Sequence, residues 1–226
     1  MALSPARARV DHLVVMAGSL QEGVAWCESV LGVTPGPGGR HAFMGTHNRL
    51  LNIASASFER AYLEIIAIDP QAPAPDRQRW FDMDTPALRH RIALQGPQLT
   101  HFVVRVPDAA SAVHTWRALG LEPGETLPAS RMTPRGELRW KITLREDGAR
   151  LFDGVLPTLI EWGQTHPTDD MPLSGVHLEA LEARHPRPGE LAAACTAIDL
   201  DGVITHAGEP GLCATLHTPQ GRVILR

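Results

Sequence analysis

Two histidines and two glutamates recur at matching places in two segments of the chain. His12 and His101 each lie near the start of an apolar, strand-like run, and Glu64 and Glu161 each interrupt a short apolar run further on. Strand side chains alternate between faces, so we predict that the apolar set packs on a helix and all four polar side chains point to the other face. Two imidazoles and two carboxylates suit a divalent ion, and an octahedral ion would keep two positions open. The pattern predicts one metal centre (Zn, Ni, Co, Mn or Fe) with His12, Glu64, His101 and Glu161 as its ligands.

These residues belong to copies of one repeated pattern. In the first two copies a strand is followed by a helix with an N-cap residue, Ser19 or Asp108, and each helix ends at a Leu-Gly pair. Residues 45–53 then overlay residues 136–144 without a gap. The strands that contain Glu64 and Glu161 also correspond, since each is a short apolar strand interrupted by a glutamate. A weaker third copy has His177 in its first strand but no carboxylate in its last strand.

The repeats predict an α+β protein built from βαβββ modules, two of them paired into a half-barrel cup. The expected boundaries are 8–68 for the first module, 98–165 for the second and 173–226 for a third, incomplete module. Residues 69–97 form a proline-containing linker, in which we expect short helices. This linker is longer than most connections, which suggests a role as a lid or a packing arm.

The chain resembles the glyoxalase-like domain proteins of the vicinal oxygen chelate superfamily. That superfamily pairs βαβββ modules around a metal, and the first and last strands of each module supply ligands. The resemblance therefore implies the same four residues as ligands. Three short segments of the first module carry it, namely Gly38-Gly39-Arg40-His41, Gly45-Thr46-His47-Asn48 and Tyr62-Leu63-Glu64.

Five further side chains are candidates for substrate binding. The same alternation predicts that Arg105, Arg139 and Lys141 line one half of the cup and Asn48 the other, while His41 flanks a glycine-rich turn. Such groups suit a small oxygen-rich or anionic molecule. Alternatively, the cations balance the two glutamates or lie on solvated rims.

These residues favour a metal-dependent lyase or isomerase of the glyoxalase type. The metal would stabilise an enolate as a Lewis acid, and Glu64 or Glu161 would move the proton as the catalytic group. One alternative is a non-catalytic protein of the same fold that binds a drug or metabolite. An extradiol dioxygenase is less favoured, because a fourth protein ligand would crowd its open positions. In a further alternative, the four residues form a metal-free polar core.

The composition narrows the class of protein. The 226 residues have a formal net charge of −4, which gives no electrostatic support for a nucleic-acid or anionic-membrane partner. No apolar run reaches the roughly 18 residues of a membrane span. Three widely spaced cysteines are typical of a reducing compartment. We therefore expect a cytoplasmic protein with a small-molecule substrate, with a homodimer as one option for its assembly.

Overall fold

The computed structural model describes residues 7–133 and 136–226, which contain twelve strands and four α-helices. The order strand, helix, strand, strand, strand occurs three times, and one additional helix lies between the first two units. The elements are β1 (Arg9–Met16), α1 (Leu20–Leu31), β2 (Arg40–His41), β3 (Thr46–Asn52), β4 (Tyr62–Ile68), α2 (Pro86–Gln95), β5 (Gln98–Arg105), α3 (Ala109–Ala118), β6 (Glu125–Thr133), β7 (Gly136–Leu144), β8 (Thr158–Trp162), β9 (His177–His185), α4 (Pro188–Ala197), β10 (Val203–Ala207), β11 (Gly211–Thr218) and β12 (Gly221–Leu225).

The first two units share one curved sheet of eight strands, in the order β2-β3-β4-β1-β5-β8-β7-β6. Strands β1 and β5 pair antiparallel at its centre, and each runs parallel to the last strand of its own unit. The third unit forms a separate four-stranded sheet, β10-β9-β11-β12. The predicted fold class, two paired βαβββ modules with a third C-terminal unit, is confirmed.

The predicted helix caps form as expected. The Ser19 hydroxyl accepts a hydrogen bond from the backbone N–H of Glu22, and Gly32 ends α1 in the left-handed conformation at φ 73°. The Asp108 carboxylate accepts from the backbone N–H of Ser111 at the start of α3. Both helices therefore begin at the same point relative to the strand before them, which gives the two units the same frame.

The eight-stranded sheet has apolar side chains on both faces. On the convex face, residues such as Leu13 and Phe102 join α1, α3 and the third unit in one continuous core. Trp116 of α3 donates its indole N–H to the carbonyl of Ala194 in α4, at 2.8 Å. The third unit therefore packs behind the helices, on the side away from the cup.

The linker between the first two units fills part of the concave face. Its Trp80, Phe81 and Met83 pack there against the cup strands, together with apolar residues of α2. Phe81 and Asp82 both have positive φ angles near 60°. The Asp82 carboxylate forms an ion pair with Arg150 at 2.7 Å, which holds this turn against the second module. In place of several short helices, the linker contains the single helix α2. The linker therefore packs on the concave face of the sheet.

Across the described ranges, 7–133 and 136–226, every helix is too short or too polar to cross a membrane.

Candidate functional site

A β-bulge in β1 places two consecutive polar residues on the concave side. Val10 pairs with Val104 and His12 with Val103, so Asp11 is an extra residue in the ladder. In a regular strand, neighbouring side chains point to opposite faces. Because the bulge interrupts this alternation, Asp11 and His12 both turn away from the helices.

Asp11 accepts hydrogen bonds from three nitrogen donors. The donors to its carboxylate oxygens are His12 Nδ1 at 2.7 Å, His166 Nε2 at 2.9 Å and Trp162 Nε1 at 2.9 Å. Thr168 donates its backbone N–H to His166 Nδ1, so the proton of that ring lies on Nε2. Burial alone would raise the pKa of Asp11, but the hydrogen bonds from His12 and His166 hold it well below its ordinary value. Asp11 is therefore a buried, ionised carboxylate.

The bond to Asp11 fixes the orientation of His12. With Nδ1 bonded to Asp11, the ring presents Nε2 to Glu64, and Nε2 lies 3.6 Å from Glu64 Oε2. The other oxygen of Glu64 accepts from Asn48 Nδ2 at 2.6 Å. Asn48 is oriented in turn by the backbone N–H of Gly39, which donates to its Oδ1 at 2.7 Å. Hydrogen bonds on either side, from His12 to Asp11 and from Asn48 to Glu64, thus hold an imidazole and a carboxylate side by side.

The predicted glycine-rich turn fits against this chain for a steric reason. A side chain at Gly38 would collide with the backbone carbonyl and amide oxygens of Asn48. Only glycine allows this close approach. The Gly38-Gly39 pair therefore lets the turn reach the strand that carries Asn48.

A cavity of about 40 Å³ opens beside His12 and Glu64, enough for a few water molecules. His41 is buried on one wall, and burial lowers its pKa to about 4, which keeps it neutral at pH 7. Burial, with the nearby Asp11 and Glu64 carboxylates, raises the pKa of Tyr62 well above its ordinary value. Fourteen residues line the cavity: His12, His41, Asn48, Leu50, Tyr62, Glu64, Trp80, Phe81, Arg131, Trp140, Ile142, Ile160, Trp162 and Pro167.

His101, the counterpart of His12, has both ring nitrogens in internal hydrogen bonds. Nδ1 donates to the carbonyl of Gly154 at 2.9 Å, and Nε2 accepts from the backbone N–H of Thr158 at 3.2 Å. The Phe81 ring covers it with 5.1 Å between ring centroids. Burial lowers the pKa of His101 to about 3, so the ring is neutral. No lone pair of this ring is left for a metal ion.

Glu161 lies on the opposite face from the one predicted. It accepts from the backbone N–H of Ala109 at 2.9 Å, at the start of α3, and from Lys141 Nζ at 2.7 Å. Ile160 and Trp162 point into the cup instead. The predicted roles of Glu161 as ligand and catalytic group therefore do not fit the structure.

The strand register explains this error. Glu64 pairs with Val14, two residues after His12, and the residue that pairs two positions after His101 is Thr158. Thr158 is thus the counterpart of Glu64, and it lies three residues before Glu161. An odd offset moves a side chain to the other face of a strand.

Three of the five predicted substrate-binding residues lie outside the cavity lining, and two lie within it. Arg139 is exposed and pairs with Glu137, while Lys141 pairs with Glu161 behind the sheet. Arg139 and Lys141 therefore point to the face opposite the predicted one, because Leu138, Trp140 and Ile142 fill the concave side. Arg105, the last residue of β5, donates a hydrogen bond to the backbone carbonyl of Val10 in β1. Asn48 and His41 do line the cavity.

The donor groups test the predicted metal centre. Among residues 7–133 and 136–226, no three or more His, Cys, Asp and Glu side chains converge as a metal ion would require. His12 Nε2 and Glu64 Oε2 are 3.6 Å apart, close to the roughly 3.4 Å between adjacent donors around a tetrahedral zinc ion. Two of the four predicted ligands are thus together and two are not, so the four-ligand site does not fit.

Sequence reasoning missed four residues of the site: Asp11, Trp162, His166 and Arg131. A signal existed for Asp11, because an aspartate inside an apolar strand needs a buried partner. His166 lies in the segment after β8, where no periodicity applies, and Arg131 lies on the edge strand β6. Their positions depend on how the two units pair, which short-range patterns do not encode.

A family model described as a glyoxalase-like domain matches residues 10–198. A hypothetical protein from Staphylococcus aureus aligns over 90% of this chain and 87% of its own at 11% identity, with a TM-score of 0.62, which shows a shared fold. A Streptomyces coelicolor methylmalonyl-CoA epimerase variant in complex with 2-nitronate-propionyl-CoA aligns over 71% of this chain and 99% of its own, at 15% identity and a TM-score of 0.45. Methylmalonyl-CoA epimerase from Mycobacterium tuberculosis aligns over 75% and 96%, at 13% identity and a TM-score of 0.42. No curated protein matches the chain.

The family match covers most of the chain, including both modules of the cup and the first strand and helix of the third unit. The modules pair about β1 and β5 as the resemblance implied. The chain belongs to the glyoxalase-like domain family, within the vicinal oxygen chelate superfamily.

Proposed function

We propose that this protein is an enzyme, a lyase or isomerase that moves a proton on a small oxygen-containing substrate bound beside His12 and Glu64. The observation that carries the proposal is the buried chain from Asp11 through His12 to Glu64. Burying a carboxylate has a large desolvation cost, which the three N–H donors of Asp11 offset. The hydrogen bond from His12 also fixes the imidazole so that Nε2 lies at the cavity.

His12 is the proposed base. Its Nε2 lone pair would accept a proton from a substrate carbon next to a carbonyl group, leaving the electron pair as an enolate. The imidazolium so formed would lie between the Asp11 and Glu64 carboxylates, which stabilise its charge. Delivery of a proton to the opposite face of that carbon, or to another carbon, gives isomerase chemistry. Expulsion of a leaving group from the adjacent carbon by the enolate electron pair, with the proton passed to that group, gives lyase chemistry.

Glu64 is the proposed second acid–base group. Asn48 holds one of its oxygens, so the other is presented toward His12 at 3.6 Å. A substrate atom or water placed between the two groups would contact both. Aromatic side chains wall the cavity, and Trp80 and Trp140 exclude bulk water, which strengthens charge interactions inside.

The proposal includes a divalent metal only as an addition to this pair. The ion would be held by His12 through Nε2 and by Glu64 through Oε2, and water or substrate would fill its remaining coordination positions. A bound ion would polarise a substrate carbonyl as a Lewis acid. Because an ion on Nε2 would occupy the lone pair that accepts the proton, His12 is proposed as the base of the metal-free site.

Hydrogen–deuterium exchange at carbon tests the proposal. The purified protein is incubated in D₂O with a panel of small 2-oxo and 2-hydroxy acids and their esters, and loss of C–H signals is followed by proton NMR. We expect exchange of at least one compound, and a loss of about 10²–10⁴-fold in the His12→Gln variant. His177→Gln is the matched control, since His177 is exposed in the first strand of the third unit.

The outcomes separate the enzyme from a binding protein of the same fold. A compound that binds the cavity without exchange, with or without added Zn²⁺, Ni²⁺, Co²⁺, Mn²⁺ or Fe²⁺, would support the binding protein. Equal exchange in His12→Gln and His177→Gln would place the chemistry elsewhere.

A further inference from the structure

Arg131 carries a charge that the proton-transfer chemistry above does not use. It lies on the edge strand β6, opposite Leu138 of β7, and it lines the cavity together with His12 and Glu64. Leu127 and Ala129, at two-residue intervals before it, pack on the concave core. The alternation along β6 therefore points Arg131 into the cup.

The first module leaves room for this side chain. A Cβ atom at Gly39 would overlap the Arg131 guanidinium, so the glycine is needed for its present position. Arg131 also acts electrostatically on His41 and Tyr62. A side chain of the second module thus reaches across the cup to the glycine turn that orients Asn48.

The guanidinium has no carboxylate within ion-pairing distance among residues 7–133 and 136–226, although most other arginines there have one. A second donor at the same cavity is also unused. The buried indole N–H of Trp80 has no acceptor in the part of the chain that the structure describes. Two donors without protein acceptors, on residues that line one cavity, suit a ligand that brings acceptor oxygens.

We propose that Arg131 binds the carboxylate of a small acid and thereby selects the substrate. This inference rests on the proposed function, because the acid would be the molecule whose carbon His12 deprotonates. Arginine matches a carboxylate with two parallel N–H donors, which would hold the neighbouring carbon in one orientation. The small cavity favours a short-chain acid, and the proposed proton abstraction next to a carbonyl group favours one with an oxygen on its second carbon.

Binding measured without turnover tests the assignment. Pyruvate and its neutral amide are the first pair of probes, followed by glycolate, lactate and their amides. Trp80, Trp140 and Trp162 line the cavity, so intrinsic fluorescence reports occupancy, and isothermal titration calorimetry confirms it. We expect at least one acid to bind about tenfold or more tightly than its amide.

The key variant is Arg131→Gln, with Arg139→Gln as its matched control. Both remove one positive charge from neighbouring strands, but Arg139 is exposed on the outer face and paired with Glu137. We expect Arg131→Gln to bring the acid down to the affinity of the amide, while Arg139→Gln retains the preference. Arg131→Lys, which keeps the charge without the two-donor geometry, is expected to fall between them.

Equal effects of Arg131→Gln and Arg139→Gln would overturn the inference. So would a parent protein that binds no acid of the panel better than its amide. Acid binding that depends on Arg131 without any carbon–hydrogen exchange would support the inference and count against the proposed enzyme. Exchange that is lost in His12→Gln, but is unaffected by Arg131→Gln and by the charge of the substrate, would support the proposed enzyme and overturn the role of Arg131.

Discussion

The first two modules share the same order of strands and helix but differ in the chemistry of their side chains. Each has a bulge in its first strand, with Asp11 as the extra residue in one and Thr100 in the other, and a histidine follows each bulge. In the first module the histidine meets Asp11 and Glu64 beside a cavity. In the second it meets the backbone at Gly154 and Thr158.

This difference shows that two modules with the same order of strands and helix need not carry the same functional side chains. Thr158 in place of Glu64 removes the carboxylate that would have faced His101. The linker then covers that ring with Phe81. The second module instead contributes Trp162 and Arg131 to the site of the first. We therefore interpret the cup as asymmetric, with acid–base groups from one module and binding groups from the other.

The strongest test of this asymmetry compares the two glutamates. Glu64→Gln removes the proposed acid–base carboxylate, and we expect exchange to fall about 10²–10⁴-fold. Glu161→Gln removes an acceptor at the start of α3, and we expect near-parent exchange with a loss of about 1 kcal/mol in the free energy of unfolding. Deuterium exchange and urea unfolding measure the two effects. If Glu161→Gln abolished exchange in a folded protein, the asymmetry would be refuted.

The next comparison concerns the two bulged residues. Asp11→Asn leaves three buried donors with a poorer acceptor, so we expect the free energy of unfolding to fall by about 2–4 kcal/mol. Thr100→Val loses only a long 3.4 Å contact with the Val14 carbonyl, and less than about 1 kcal/mol is expected. Urea unfolding at pH 7 compares them.

Asp11 also has an expected kinetic effect. If it orients His12, Asp11→Asn shifts the pH profile of exchange as well as its rate, because the imidazolium loses its partner. A purely structural Asp11 would leave that profile in place in the folded fraction. An unchanged profile would therefore assign Asp11 to stability alone.

Acidification tests the buried, neutral state of His101. Its pKa of about 3 and that of His41 of about 4 lie below the ordinary value of 6.5. The unfolded chain therefore binds more protons than the folded one below pH 6.5, and stability falls as the pH is lowered. At pH 5 each histidine costs about 2 kcal/mol relative to pH 7.

Urea unfolding at pH 7 and pH 5 measures the loss. A His101→Gln variant, which cannot be protonated there, is expected to show a smaller difference between the two values. His177→Gln, with an exposed ring, serves as control and retains the parent difference. A parent protein as stable at pH 5 as at pH 7 would contradict the assigned neutral state.

The sequence was sufficient to predict the fold, and it also predicted that His12 and Glu64 lie close together. Helix caps, glycine turns and apolar runs act over a few residues, so Ser19 and Asp108 could be identified directly. The pair His12 and Glu64 followed from alternation within one module. Glu161 was misplaced because an apolar strand with one glutamate has no feature that fixes its register to within one residue. The aspartate within an apolar strand was a signal for Asp11, but strict alternation placed it on the face opposite His12, because a bulge leaves no periodic signal.

The smallest expected effect concerns the metal, and it decides between two ligands and four. With only His12 and Glu64 as donors, we expect millimolar Zn²⁺ or Ni²⁺ to bind weakly and to raise the free energy of unfolding by less than about 2 kcal/mol. His12→Gln is expected to abolish that gain, and His101→Gln and Glu161→Gln to leave it unchanged. Thermal unfolding across a metal titration, with metal content after dialysis, measures both affinity and stoichiometry. Tight, stoichiometric metal that is lost in Glu161→Gln would require the second module to turn its glutamate inward, and the asymmetry of the cup would then be wrong.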